Sequence, residues 1–284
     1  MVVLQGDNGQ GKSNLLEAIY MLAIAKSHRT NSERELIYQH RGNKEQYAQV
    51  TGIVKQNCEE LKLRIDYQSI PDLENNRKTN IDQENINMFR KGIRLDGRPI
   101  KASNLIGQVP VVLFSPEDLG LIYGSPSIRR RYLDILISQL DRNYLKTLQR
   151  YQKVLYQRNH LLKSIRSGRS DSQELGFWDE ELIREGSYII TTRFHTTRTL
   201  SKLANPIHFE LAGGNEQLNL VYIPTFENTG NNMSQSFQIA LDAKKDIELK
   251  QGVTLCGPHR DDLQIQIDSM NANAFASRGQ SRTA

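Results

Sequence analysis

The chain has 284 residues, 38% of them hydrophobic and 24% charged, with 19 Gly, 8 Pro and a formal net charge of +5. That length allows one large domain or a core with a smaller lobe. Apolar residues recurring along the chain exclude collagen-like, fibrous and globally disordered classes. No apolar run approaches the ~18 residues of a membrane-spanning helix, and Met1 leads straight into a Gly-rich loop, so a cytoplasmic protein without membrane contact is expected. Cys58 and Cys256 stand far apart, and none of the six histidines (28, 40, 160, 195, 208, 259) forms an i, i+4 pair, so neither a disulfide scaffold nor a metal cluster is expected.

In chain order, residues 1–5 read as the end of a buried strand feeding a loop. Residues 14–25 read as a helix, with Leu15, Leu16, Ile19, Leu22 and Ala23 in a stripe at 3.6 spacing. Stretches 46–70 and 86–96 alternate apolar and polar residues, as antiparallel strands with one wet face do, and 71–85 is a polar loop. Residues 109–114 form a strongly apolar strand stopped by Ser115-Pro116. From 127 to 167 there is neither Gly nor Pro. Leu133, Leu136, Ile137, Leu140, Tyr144, Leu148, Tyr151, Leu155 and Leu162 hold a helical period there, with Asp141 placed to cap a second helix. A further helix is expected over 178–203, then strand character at 207–223, a helix near 234–250, a short strand at 253–256 and an alternating strand at 263–267.

Charge is unevenly distributed. Residues 128–169 hold eleven Lys or Arg against Asp134 and Asp141, a local charge of +9 that leaves −4 for the rest. Such a block on a near-neutral body points to a polyanion partner. Arg129, Arg130 and Arg131 open it and are the candidate DNA-phosphate contacts; the alternative is that they brace the lobe by pairing with Glu117 or Asp134. Tyr132, Tyr144, Tyr151 and Tyr156 interleave with the basic residues, but their helical spacing suits core packing better than base stacking.

The sharpest motif is Gly6-Asp7-Asn8-Gly9-Gln10-Gly11-Lys12-Ser13, a complete G-x-x-x-x-G-K-S between an apolar stretch and an amphipathic helix. Its glycines let backbone N–H groups turn toward phosphate oxygens, Lys12 reaches the β- and γ-phosphates of ATP, and the Ser13 hydroxyl ligates Mg²⁺. The helix N-terminus adds its positive end to the same anion. Near the other end, Ser277-Arg278-Gly279-Gln280 has the S-x-G-Q pattern of the ABC signature, where Ser277, Gly279 and Gln280 would meet a γ-phosphate held by a second copy. Taken alone, that tetrapeptide is equally a polar turn. A P-loop phosphotransferase such as a small-molecule kinase, and a transporter-type ABC ATPase, are the competing readings.

With these motifs, the stretches GDNGQGKSNLLEAIY at 6–20, KSHRT at 26–30, VLFSPEDLGLIYGSPSIRRRYLD at 112–134, QRNHLLK at 157–163, GPHRDDL at 257–263 and FASRGQSRT at 275–283 resemble the RecF family of bacterial recombination and repair ATPases, relatives of the SMC proteins. The resemblance spans nearly the whole chain. It implies an α/β fold, a P-loop ABC-type ATPase head with a helical lobe inserted in the middle. On this basis residues 1–125 belong to the head, 126–205 to the basic helical lobe, and 206–284 return to the head and end at the signature. It further implies weak DNA-stimulated ATPase activity with ATP and Mg²⁺ as cofactors, an ATP-dependent homodimer, and binding to single-stranded, gapped and double-stranded DNA. RecO and RecR would be its partners in loading RecA. The family carries a strand and hairpin before the P-loop strand and a Walker B strand with paired acids after the signature. Neither is in this sequence, which is expected to be a fragment cut at both ends, with hydrolysis and nucleotide affinity impaired. The one internal substitute for Walker B is 111–114 followed by Glu117 and Asp118. Arg29 and His259 are secondary candidates, as a nucleotide contact and a general base, and the role of 257–262 stays open between a functional loop and a turn salt-bridged through Arg260.

Overall fold

The computed structural model describes the chain apart from residues 31, 38–45, 57–58, 72–86, 228–231, 276 and 284. The loop expected at 71–85, beyond Pro71 itself, and Cys58 lie outside the described residues. The chain divides into two compact units, Met1–Leu113 and Phe114–Ala284.

In the first unit, helix α1 (Lys12–Ile24) follows the glycine loop and ends where Ala25 turns left-handed and returns its N–H to the Met21 carbonyl. Strands β1 (Gln46–Gln56), β2 (Glu59–Pro71), β3 (Asn87–Leu95) and β4 (Arg98–Pro99) form one antiparallel sheet in that order. Alternation fixes its faces: Leu63, Ile65 and Tyr67 are buried, while Lys62 is exposed and Arg64 and Asp66 are half-buried. Met21 and Leu22 of α1 join that apolar face, with Leu105 from the short helix α2 (Ala102–Leu105). At Gly52 a Cβ would lie 2.7 Å from Leu22 Cδ1, so a larger residue on β1 would require the Leu22 side chain to turn away.

Two expected strands are absent from this unit. Residues 1–5 are exposed and pair with no strand among the described residues, and Val112 and Phe114 are exposed in a segment, 109–114, that is not a strand. Apolar runs of this kind become strands only where a neighbouring strand takes up their backbone N–H and C=O groups, and the runs do not encode that neighbour. The α1 stripe is only partly covered: Leu22 and Ala23 are buried, whereas Leu15, Leu16 and Ile19 are each about half exposed.

The second unit begins with a one-turn 3₁₀ helix at Pro116–Leu119 and α3 (Gly120–Tyr123), then four long helices, α4 (Pro126–Leu140), α5 (Arg142–Arg166), α6 (Leu175–Leu211) and α7 (Met233–Gln251). Asp141 breaks α4 from α5 and caps the latter, its Oδ1 accepting the Asn143 N–H at 2.7 Å. Strands β5 (Leu218–Ile223), β6 (Asp262–Ile267) and β7 (Met270–Asn271) make a second antiparallel sheet, followed by α8 (Ala272–Phe275) and α9 (Arg278–Thr283). The core gathers Leu133, Ile137, Tyr144, Tyr151, Leu182, Ile189, Phe237 and Leu263. Leu140, expected there, is exposed, as is Tyr156; Tyr144 and Tyr151 are buried as the helical period required.

The strand expected at 207–211 is instead the end of α6, which runs through Pro206. Asn205-Pro206 reads as a break, but the Asn205 side chain is used in tertiary contact. Its Oδ1 accepts the Leu218 N–H at 3.0 Å, and Ser201 Oγ accepts the Leu220 N–H at 2.9 Å. Four helical residues rise about 6 Å and two strand residues about 6.6 Å, so 201 and 205 match 220 and 218 in register and the helix edge satisfies β5. Residues 253–256 are likewise no strand; side chains described below hold that segment.

Candidate functional site

The glycine loop supplies backbone geometry that other residues resist. Gly9 and Gly11 have φ of +84° and +87°, and nothing lies within 4 Å of a Cβ built on either, so backbone conformation and not crowding demands glycine. Gly11 is the N-cap of α1, which has no side-chain cap and no acid in its first turn. The amides of that turn are thus left to an external acceptor. Lys12 folds back over the loop, its Nζ 2.5 Å from the Gly6 carbonyl and 2.7 Å from that of Asp7. The ammonium is therefore held in the loop by acceptors that phosphate oxygens can replace. Ser13 is exposed one residue further on, and Asp7, Asn8 and Gln10 line the exposed turn.

Beside α1 lies a cleft of about 510 Å³ whose lining includes Asn14, Glu17, Arg29, Thr30 and Tyr67. Here KSHRT is wired to the helix: Ser27 Oγ donates to Glu17 and accepts the Arg29 and Thr30 amides at 2.9 and 3.1 Å. Arg29 Nη1 is 3.1 Å from Asn14 Oδ1 and 3.5 Å from Glu17 Oε2, which places its guanidinium against the first turns of α1. Burial, with Glu33 and Glu17 nearby, pushes the Tyr67 phenol well above its ordinary range. Its hydroxyl is buried without a hydrogen-bond partner among the described residues.

In the second unit the arginine triplet splits by position on α4. Arg129 is buried and bidentate to Asp262, Nε–Oδ1 and Nη2–Oδ2 both 2.8 Å, with Nη1 donating to the Gly124 carbonyl at 2.8 Å. For Arg129 the brace of the alternative reading exists, with Asp262 as its acid. Arg130 is half-buried, donates to the Asp261 carbonyl at 2.7 Å, and has its pKa lowered by burial and by Arg193. Arg131 is exposed. In the internal Walker B substitute, 111–114 is not a strand, and Asp118 closes a capping box on Ser115, its Oδ2 accepting the Ser115 N–H at 2.6 Å.

The 257–262 turn is braced from several elements. Gly257 donates to Thr225 Oγ1 at 2.8 Å, and its φ of +119° brings the backbone against Phe237 and Tyr151. Buried Arg193 on α6 bridges the Pro258 carbonyl and Asp134, both at 2.7 Å. Asp261 is fully buried, accepting from Tyr222 and from the Thr225 N–H at 2.8 Å. His259 Nε2 lies 3.2 Å from the Thr254 carbonyl, which can only accept, so Nδ1 accepts from Tyr151 Oη at 2.7 Å. Burial, partly opposed by that carbonyl, lowers the His259 pKa to about 4. A neutral imidazole with both nitrogens engaged is a strut, not a general base. Arg260 is exposed, and its Nε is 3.4 Å from the Thr254 carbonyl; the acids pair elsewhere.

Below the turn, QRNHLLK anchors residue 254. Arg158 is buried between Asp179 at 2.7 Å and Thr254 Oγ1 at 2.8 Å, with its Nη1 also ion-paired to Glu248 Oε2 at 2.7 Å. Asn159 Oδ1 accepts both the N–H and the hydroxyl of Thr254 at 2.8 Å. Sequence reasoning missed Arg158 and Arg193 as struts, although each sits on the buried side of its helix: 151-154-158-161 and 186-189-193-197 keep 3–4 spacing.

The signature residues form the start of α9. Ser277 N–H donates to Gln280 Oε1 at 2.7 Å and Gln280 N–H donates to Ser277 Oγ at 3.2 Å, a reciprocal capping box, with Gly279 exposed between them.

The chain is 38% identical over 293 residues to the DNA replication and repair protein RecF of Chloroflexus aggregans, covering 99% of this chain and 73% of that protein. It is 37% identical over 288 residues to the protein of the same name from Bacillus cytotoxicus, covering 99% and 70%. A solved structure of the recombination mediator protein RecF with ATP, of the RecFOR pathway, matches with a TM-score of 0.83 at 31% identity over 97% of this chain and 69% of that one. No protein-family model matches.

Proposed function

This chain belongs to the RecF family, whose members are DNA replication and repair proteins, and we propose that it acts as an ATP-gated DNA-binding protein in recombinational repair and replication restart. Its fold is that of an α/β ABC-type ATPase head, and relatives of this fold bind ATP. The observation that carries the proposal is the loop at 6–13. Positive-φ glycines, an uncapped helix start and Lys12 held on carbonyl oxygens suit a polyphosphate and little else. In this reading Gly6 to Ser13 hold the ATP phosphates, and the Ser13 hydroxyl takes Mg²⁺, which supplies charge neutralisation between phosphates. Among the described residues no group of three or more His, Cys, Asp or Glu could hold a metal.

Ser277, Gly279 and Gln280 would address the nucleotide of a second copy, so that the chain dimerises when nucleotide is bound and closes on single-stranded or gapped DNA. Arg131 and the outer face of α5, where Arg142, Lys146 and Lys153 are exposed at spacings of four and seven, would meet DNA phosphates. Arg129, buried on Asp262, is left out of this reading. RecO and RecR as partners, delivery of RecA and a cytoplasmic location belong to the same reading; no helix among the described residues is long and apolar enough to cross a membrane. The test is titration onto fluorescent gapped DNA with and without ATP–Mg²⁺, beside Lys12→Ala. ATP-enhanced binding that the variant loses supports the proposal. Binding indifferent to ATP breaks the gate, and no binding by a folded sample removes DNA as the partner.

A further inference from the structure

The signature turn is not held by its own residues alone. Gln280 donates through Nε2 to Glu216 Oε1 at 2.9 Å, while its Oε1 accepts the Ser277 N–H. The orientation of this amide is forced: a backbone N–H can only donate and a carboxylate can only accept, so oxygen faces Ser277 and nitrogen faces Glu216. The other carboxylate oxygen of Glu216 lies 3.4 Å from His208 Nε2, at ion-pair range though outside hydrogen-bond geometry. His208 is 2% exposed in the last turn of α6. Gly213 and Gly214, with φ of +69° and +79°, reverse the chain after α6 and bring Glu216 back toward it.

We infer that Glu216, backed by His208, is a positioning residue for the signature: it fixes the Gln280 amide, which in turn fixes the Ser277 N–H and hydroxyl. The inference rests on the ATP-dependent dimer proposed above. Without the carboxylate the amide loses its charged acceptor and becomes free to rotate, and the cap on Ser277 opens. None of these bonds involves residues 6–13.

Four variants decide it: Glu216→Ala, Glu216→Gln, Gln280→Ala and the Glu216→Ala/Gln280→Ala double. ATP–Mg²⁺-dependent dimerisation is followed by sedimentation, and nucleotide affinity of the monomer by a fluorescent ATP analogue. Glu216→Ala should weaken the ATP-dependent dimer about tenfold, the scale of a lost hydrogen bond to a charged group, with monomer affinity for nucleotide unchanged. Glu216→Gln keeps an acceptor oxygen and should dimerise as the parent does. In the double variant the alanine at 216 should add nothing to Gln280→Ala, because the two act through one contact. Parent-like dimerisation of Glu216→Ala, additive effects, or a parallel fall in nucleotide affinity and melting temperature would each overturn the inference. If the parent itself stays monomeric with ATP, the dimer reading fails separately. Amide exchange over 277–283 then decides, since faster exchange in Glu216→Ala, restored in Glu216→Gln, supports the positioning role and unchanged exchange refutes it.

Discussion

Arg129 and Arg131 are two residues apart on α4, and the structure gives them opposite work. Arg129→Ala removes a bidentate ion pair to Asp262 and leaves the Gly124 and Leu121 carbonyls without their donor. Asp262 keeps one backbone partner, the Leu263 N–H at 2.8 Å, so its charge is not stranded outright. Charged hydrogen bonds of this kind are worth about 1.5–3 kcal/mol, and the orphaned carbonyls bring the expected loss to roughly 2–4 kcal/mol. In a unit of this size each kcal/mol lowers Tm by about 2–4 °C, so melting should fall by something on the order of 10 °C. The salt dependence of DNA binding should not move. Arg131→Ala should do the reverse, leaving Tm in place while reducing the slope of log K against log salt by about 0.9 on duplex or 0.7 on single-stranded DNA. Circular-dichroism melting and anisotropy titrations across a salt series read both quantities on one sample. An Arg129→Ala protein that melts as the parent does and loses a unit of salt slope would refute the assignment.

Three other outcomes are expected. The unfolded chain protonates His259 near its ordinary value of 6.5, but the folded protein does so only near about 4. Between those limits the unfolded state binds more protons, so stability falls as pH drops from about 6.5 to 4, by up to roughly 3 kcal/mol, and urea midpoints should show this slope flattened in His259→Gln. Gly257→Ala places a Cβ 2.7 Å from Phe237 Cζ and 2.8 Å from Tyr151 Oη at a φ of +119°, and should cost about 2–4 kcal/mol in urea unfolding. Asn205→Ala and Ser201→Ala each leave a β5 amide without its acceptor and should each cost about 1–2 kcal/mol, while hydrogen exchange at Leu218 and Leu220 quickens selectively.

The sequence alone determined what depends on local order. The G-x-x-x-x-G-K-S loop had to precede a helix, because its glycines take backbone angles that other residues resist and its helix start lacks a cap. The alternation at 61–67, the Asp141 boundary and the α5 period were readable for the same reason: neighbours in sequence set them. Positive charge marked out the 128–169 segment, but charge counts do not say which arginine is buried. Only tertiary structure separated Arg129 from Arg131, because an arginine becomes a strut when a carboxylate from 133 positions away meets it. Only tertiary structure turned 207–211 into helix, since the acceptors that Asn205 and Ser201 present have meaning only once β5 lies beside them. Tertiary structure likewise decided His259 and Glu216, whose roles come from carbonyl, phenol and amide groups that distant segments bring within 3.5 Å.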